Sequence, residues 1–279
     1  MRTIETKTIV DAVKELAISA SCDIGQSFID ELRAALKKEQ SQIGKNVIEQ
    51  IIENDVIAMD NREPMCQDTG VTVVFVELGY ECQLTGDLYD AINEGVRQGY
   101  KEGLLRKSVV RHPLDRVNTN DNTPAVIHVK LVKGSHIKLT LAPKGAGSEN
   151  MSLVKMLVPS DGVEGVKKLV LHTIFHAGGK PCPPLVVGLG LGGTFEKAAI
   201  IAKEALMRDL DDVNPDPILA KLEKELLDEI NELGVGPMGF GGTTTALAVK
   251  INAFPCHIAS LPVAINLQCH ASRHKSIVI

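Results

Sequence analysis

Residues 125–142 read "AVIHVKLV", "KGS" and "HIKLTLA", and this stretch decides the class of fold. On both sides of a short Gly-containing loop, apolar and polar residues alternate with the two-residue period of a half-buried strand. Ile127, Val129 and Leu131 share one face with Ile137, Leu139 and Leu141, while His128, Lys130 and Lys138 take the other. The pattern predicts an antiparallel hairpin. Upstream, "IVDAVKELA", "FIDELRAAL" and "VIEQIIENDVIAM" carry apolar residues at helical spacing and predict three helices. A strand from Val71 ("VTVVFVEL") and a helix over "DLYDAINEGVRQGYKEG" follow. Downstream come a polar glycine-rich loop "PKGAGSEN", a helix near "VEGVKKLVLHTIF", a strand "PLVVGLG" and two helices split around "NPDP". The chain closes on a Gly and Thr run, "GFGGTTTALAV", and the strand-like "PVAINL" and "SIVI". Strands and helices neither alternate strictly nor repeat, so the expected class is α+β, with N-terminal helices followed by mixed or antiparallel sheet elements and flanking helices. Pro and Gly are spread along the chain rather than marking a linker, which predicts one domain over residues 1–279 with internal lobes.

Composition narrows the function. With 279 residues, 44% of them apolar, the chain can bury a sizeable core. A formal charge of −5 and an aromatic content of 3% without Trp exclude a basic phosphate-binding stripe and a base-stacking platform, so no nucleic-acid partner is expected. The sequence shows neither a secretory leader pattern nor an apolar run of spanning length, which predicts a soluble cytoplasmic protein with no membrane partner. The six cysteines, Cys22, Cys66, Cys82, Cys182, Cys256 and Cys269, form no Cys-x-x-Cys pair. Their spacing gives no zinc or ferredoxin signal, and the plain reading of each is a small buried hydrophobe.

Single motifs decide little. "GLGLGG" places Gly188, Gly190 and Gly193 between a strand and a helix, as a dinucleotide fingerprint does. The second strand and its acidic residue do not follow, so a glycine turn for close strand–helix contact is the favoured reading. "PKGAGSEN" lacks the Walker spacing, although its amides could line a carboxylate nest. Gln67 and Asp68 fit a turn before a strand. Arg106 reads as a solvated cation and His257 as a structural histidine.

Taken in order, "PMCQDTG", "LLRKS", "VNTNDNTPAVIH", "KGAGSEN", "PCPPLVVGLGLGG", "GVGPMGFGGTTTALAVKI" and "HIASLPVAINLQCHASRH" resemble the alpha part of class I fumarate hydratase, within the iron-sulfur hydro-lyases. The resemblance implies a 4Fe-4S cluster held by Cys66, Cys182 and Cys269, with a fourth iron free of protein ligands. It implies substrate-carboxylate contacts from Gln67, Arg106 and the backbone of Gly145, Ala146 and Gly147. Asp68 and His257 are implied as polar partners of the departing hydroxyl. Single-chain members of the family carry a further domain of roughly 200 residues, an ordinary domain size, that brings the proton-abstracting threonine. The expectation is therefore the alpha subunit of a hetero-oligomer that needs a beta subunit to turn over a small dicarboxylate. The alpha subunit of L-tartrate dehydratase shares the cysteine framework and is the second expectation. Its branch has a cysteine after the glycines of the loop matching "KGAGSEN" and lacks "SLPVA". Two non-enzyme alternatives stay open at this point: a cluster-bearing scaffold or sensor, and a nucleotide-binding module built on "GLGLGG".

Overall fold

The computed structural model describes residues 1–279. In chain order the first half contains β1 (Arg2–Ile4), α1 (Thr6–Cys22), α2 (Gln26–Lys38), α3 (Gln42–Asn61), β2 (Val71–Gly79), β3 (Cys82–Leu84), α4 (Leu88–Glu102), β4 (Val126–Val132) and β5 (Ile137–Lys144). The second half adds α5 (Ala146–Glu149), β6 (Leu153–Leu157), α6 (Gly162–Ala177), β7 (Leu185–Gly192), α7 (Phe195–Ala205), α8 (Pro217–Glu232), β8 (Ala246–Phe254), β9 (Leu261–Gln268) and β10 (Lys275–Val278). The class is α+β, as the sequence pattern predicts. The chain forms two compact units: Met1–Ile24 with Asp55–Ala146 and Arg273–Ile279, and Gly25–Asn54 with Gly147–Ser272. No helix is long and apolar enough to cross a membrane.

In the first unit four strands run in the order β10-β5-β2-β4. The predicted hairpin is the main correction, because β4 and β5 do not pair with each other: β2 lies between them, parallel to β4 and antiparallel to β5. The physical reason lies in β2. Val73, Val74 and Val76 are at most 4% exposed, so this strand is apolar on both faces and takes the centre of the sheet. Strand β4 carries the exposed Val126, Val129 and Leu131 and takes an edge. The β4–β5 connection arches over the end of β2, whose Gly79, Tyr80 and Glu81 amides donate to the carbonyls of His136, Val132 and Gly134 at 3.0, 2.9 and 3.0 Å. Ile137, Leu139 and Leu141 are fully buried, as predicted, and join Val13, Leu16 and Ala17 of α1 and Ile92, Val96 and Tyr100 of α4 in one core. Helix α4 starts where Asp87 accepts the Asp90 amide at 2.9 Å, an N-cap that satisfies an otherwise orphaned donor.

The second unit has the strand order β6-β9-β7-β8, with β9 antiparallel to both neighbours and β7 parallel to β8. Its core joins Val170 and Ile174 of α6, Leu226 and Ile230 of α8, and Val187, Leu189, Ile251, Ile265 and Leu267 of the sheet. The "GLGLGG" segment is a close-contact device: a Cβ on Gly188 would fall on the Ala202 carbonyl oxygen and one on Gly190 on that of Ala198, both on α7. "PKGAGSEN" is less of a loop than predicted, since Pro143 and Lys144 complete β5 and Ala146–Glu149 wind into α5.

The closing Gly and Thr run wraps a buried carboxylate. Glu39, 2% exposed, accepts the amides of Gln40, Ser41, Thr243 and Thr244 at 2.9, 2.8, 2.9 and 2.8 Å. Burial alone would push its pKa up, but the Ser41, Thr243 and Thr244 donors outweigh it and hold the group at about 2. Gly242 sits at φ +133, and a Cβ there would stand 2.6 Å from a Glu39 oxygen. The glycine thus gives both the backbone conformation and the close approach.

Candidate active site

In the first unit the turn between α3 and β2 carries Cys66, Gln67 and Asp68, and Asp68 is its hub. One carboxylate oxygen, Oδ1, accepts the Gly70 amide at 3.1 Å and Arg106 Nη2 at 2.9 Å. The other, Oδ2, accepts the Ala146 amide at 2.9 Å. Three segments far apart in sequence therefore meet on one side chain: "CQDTG", the Arg106 loop and the start of α5. Gly70 has φ +73, and a Cβ there would come within 2.7 Å of the Lys144 backbone, so only glycine fits.

The turn is anchored from below. Tyr100, fully buried on α4, donates to the carbonyls of Thr69 and Gly70 at 2.6 and 3.1 Å. Burial pushes the Tyr100 hydroxyl up to about 12, so it remains a neutral donor. Thr69 Oγ1 donates to the Arg106 carbonyl at 2.8 Å. Buried Asn122 donates to the Gly70 carbonyl at 3.2 Å and accepts the Ser108 amide at 2.6 Å. The Arg106 loop is thus fixed at both ends, while the Arg106 side chain stays 53% exposed beside a largely covered Asp68. Gln67 is exposed, and the Asp68 amide points at Cys66 Sγ at 3.4 Å.

Arg273 completes this side of the site. It is 3% exposed, and its Nε and Nη1 atoms are buried without a hydrogen-bond partner. A Cβ built on Gly145 would stand 3.2 Å from Asp68 Oδ2 and 3.6 Å from Arg273 Nη2. Gly145 is thus packed against both a carboxylate and a guanidinium.

In the second unit the Cys182 and Cys269 segments lie side by side, because the His270 amide donates to the Cys182 carbonyl at 3.2 Å. Cys182 holds a left-handed backbone at φ +55, uncommon for a residue with a side chain. A Cβ on Gly147 would stand 3.3 Å from the Lys180 carbonyl oxygen, so Gly147 borders the same loop. Gln268 Nε2 approaches Cys269 Sγ at 3.6 Å. Donors thus point at the sulfurs of Cys66 and Cys269, as they do at thiolates that ligate iron-sulfur clusters. None of the three is in a disulfide, and all are partly exposed. No group of three or more His, Cys, Asp or Glu side chains is placed to hold a metal ion.

His257 stands apart from that pair. It lies in the β8–β9 loop, with Nδ1 accepting the Ala259 amide at 3.1 Å, on a groove of about 360 Å³ lined by Met156, Phe195, Lys197, Phe254 and Cys256. Cys269 follows the opposite end of β9. At roughly 3.3 Å per residue, eight extended residues separate the two by more than about 20 Å. Within one chain, then, Asp68 is joined to Arg106 and Ala146, and Cys182 to the Cys269 turn, but His257 is not brought to the Cys182–Cys269 pair. Residue-by-residue reading did not single out Tyr100, Asn122 or Arg273. The first two act through backbone carbonyls 31 and 52 positions away, which leaves no local signal. Arg273 lies inside "CHASRH", where a cation in an otherwise covered stretch is the available cue.

Comparison with known proteins places these residues in a family context. The family model described as Fumarate hydratase (Fumerase) matches residues 10–278. A Methanocaldococcus jannaschii protein, provisionally named L(+)-tartrate dehydratase subunit alpha, is 47% identical over 272 residues, covering 95% of each chain. The L(+)-tartrate dehydratase subunit alpha of Escherichia coli O157:H7 is 30% identical over 275 residues, covering 97% of this chain and 90% of that one. Its counterpart from Escherichia coli K12 is 29% identical over 275 residues with the same coverage.

Proposed function

The chain belongs to the fumarate hydratase family of hydro-lyases, and from that premise we propose that it is the alpha subunit of an enzyme that reversibly hydrates fumarate to (S)-malate in the cytoplasm, as a step of the tricarboxylic acid cycle. The observation that carries this reading is Asp68, clamped between Arg106 and the Ala146 amide on the turn that also carries Cys66.

Cys66, Cys182 and Cys269 would hold an oxygen-sensitive 4Fe-4S cluster. They fit that role as partly exposed thiols outside any disulfide, with an amide or side-chain donor directed at two of the sulfurs. When bound, such a cluster supplies one iron without a protein ligand, a Lewis acid for the substrate hydroxyl.

The chain's own side chains do the rest. Arg106 offers a planar fork whose two parallel N–H bonds suit a carboxylate, and Gln67 adds an amide donor on the same turn. The exposed backbone of Gly147, with Gly145 and Ala146 beside it, adds a donor with little side-chain bulk, while the Ala146 amide itself holds Asp68. Asp68 stands within reach of these groups with both oxygens fixed, so it can hold the proton that leaves water in hydration and return it to hydroxide in dehydration. Tyr100 and Asn122 keep Asp68 in place by locking the Thr69 and Gly70 carbonyls. His257, beyond the far end of β9, is assigned no step within its own chain. The base that abstracts the carbon-bound proton would come from a beta subunit, in a hetero-oligomer.

A second reading, L-tartrate dehydration, is favoured by the names of the relatives, while the "KGAGSEN" loop and "SLPVA" segment favour fumarate. The experiment is anaerobic assay of the alpha chain with its beta subunit on fumarate, malate and L-tartrate. A kcat/KM for fumarate or malate above that for tartrate supports the first reading. The reverse order supports the second, and turnover of none of them overturns both.

A further inference from the structure

Arg273 is the least explained charge in the first unit. A guanidinium stays protonated at any physiological pH, and burying one without a partner is strongly unfavourable. Yet Arg273 is 3% exposed, with Nε and Nη1 covered and unbonded. The nearby acid does not serve it: Asp68 spends Oδ1 on Gly70 and Arg106 and Oδ2 on Ala146. The arginine nevertheless faces the site. Its Nη2 and Asp68 Oδ2 flank the point where a Gly145 side chain would begin, at 3.6 and 3.2 Å. Two guanidiniums, Arg106 and Arg273, thus stand around one carboxylate, Asp68, so the cluster has a place for a second carboxylate.

We propose that Arg273 is a second carboxylate-binding arginine, which receives one end of the dicarboxylate beside Gly145 while Arg106 stays on the open side. This rests on the dicarboxylate reading given above. It gives the absence of a side chain at Gly145 a purpose, since a Cβ there would crowd Asp68 Oδ2 and stand against the guanidinium. It also gives a counter-charge to a covered guanidinium whose Nε and Nη1 have no hydrogen-bond partner.

The test uses the enzyme reconstituted anaerobically with its beta subunit, comparing wild type, Arg273→Gln, Arg273→Lys and Gly145→Ala. Competitive inhibition constants are measured for succinate and for its monoamide, in which one carboxylate is neutral, together with iron content. Wild type should favour succinate strongly. Arg273→Gln should weaken succinate by about 100-fold or more, as expected on removing one partner of a covered charge pair, while weakening the monoamide far less, so that the preference collapses. Gly145→Ala, a small change at a site without a left-handed backbone, should weaken succinate in the same sense, and Arg273→Lys should fall between Gln and wild type. Equal losses for both ligands at unchanged iron content would overturn the proposal in favour of a structural role. Loss of iron in both Arg273 variants would overturn it in favour of a role in holding the cluster, and an unchanged preference would overturn it outright. A wild-type enzyme without activity on dicarboxylates would instead refute the function proposed above.

Discussion

Replacing Glu39 with Gln perturbs one carboxylate and, through it, the whole Gly241–Thr244 turn. Four backbone amides, from Gln40, Ser41, Thr243 and Thr244, converge on Glu39 within 2.9 Å. Gln keeps one acceptor oxygen but turns an NH2 group toward amides that also donate, so part of the set loses its partner. Glu39 titrates near 2 in the folded chain against an ordinary 4.5. A depression of that size corresponds to stabilisation on the order of 3 kcal/mol. Because the folded pKa lies below the unfolded one, this contribution is complete above about pH 4.5 and fades as the pH falls toward about 2. Urea unfolding of both proteins at a series of pH values reads the difference directly. Glu39→Gln should be less stable by roughly 3 kcal/mol at pH 7, with the gap narrowing below pH 4.5. A gap below about 0.5 kcal/mol at pH 7, the range of an ordinary surface substitution, or one that does not shrink in acid, would refute the reasoning.

Tyr100→Phe removes the donor to the Thr69 and Gly70 carbonyls; unfolding measurements should show a loss of about 1 kcal/mol, and turnover should fall as Asp68 loosens. Cys66→Ser, Cys182→Ser and Cys269→Ser should each abolish iron and sulfide binding, whereas Cys22, Cys82 and Cys256 variants keep it; iron analysis after anaerobic reconstitution decides between these sets. In the native chain Cys22, 2% exposed and with its thiol pKa raised by burial, should be the slowest of the six to react with a thiol reagent. Gly190→Val drives a side chain into the Ala198 carbonyl, so it should lower soluble yield and thermal stability, and equilibrium dialysis should find no NAD or ATP binding to lose.

Much of the fold was legible because it rests on local periodicity. The three N-terminal helices, the helix carrying Tyr100 and the central strand after Gly70 follow from apolar spacing alone. The partnering of strands was not. "AVIHVKLV" and "HIKLTLA" alternate as a hairpin should, yet a strand from fifty residues earlier takes the place between them, because β2 is apolar on both faces and gains more by pairing on both sides. Strands β6 and β8 were also missed, the first for its brevity and the second because its start is masked by glycines and threonines that serve Glu39. At the site, Cys66, Asp68 and Arg106 were reached through ordered motifs rather than spacing. Tyr100, Asn122 and Arg273 act through single long-range contacts that no window of sequence contains.

The central claim is that three distant cysteines support a cluster whose open iron meets a small dicarboxylate. Its most direct measurement is the electron-spin resonance spectrum of the reduced, anaerobically reconstituted enzyme with its beta subunit, recorded before and after adding malate or fumarate. The account predicts about four irons per alpha chain, as three thiolates and one open position require, and a signal that shifts on adding substrate. A chain without inorganic sulfide, or a cluster signal indifferent to both acids, would contradict it.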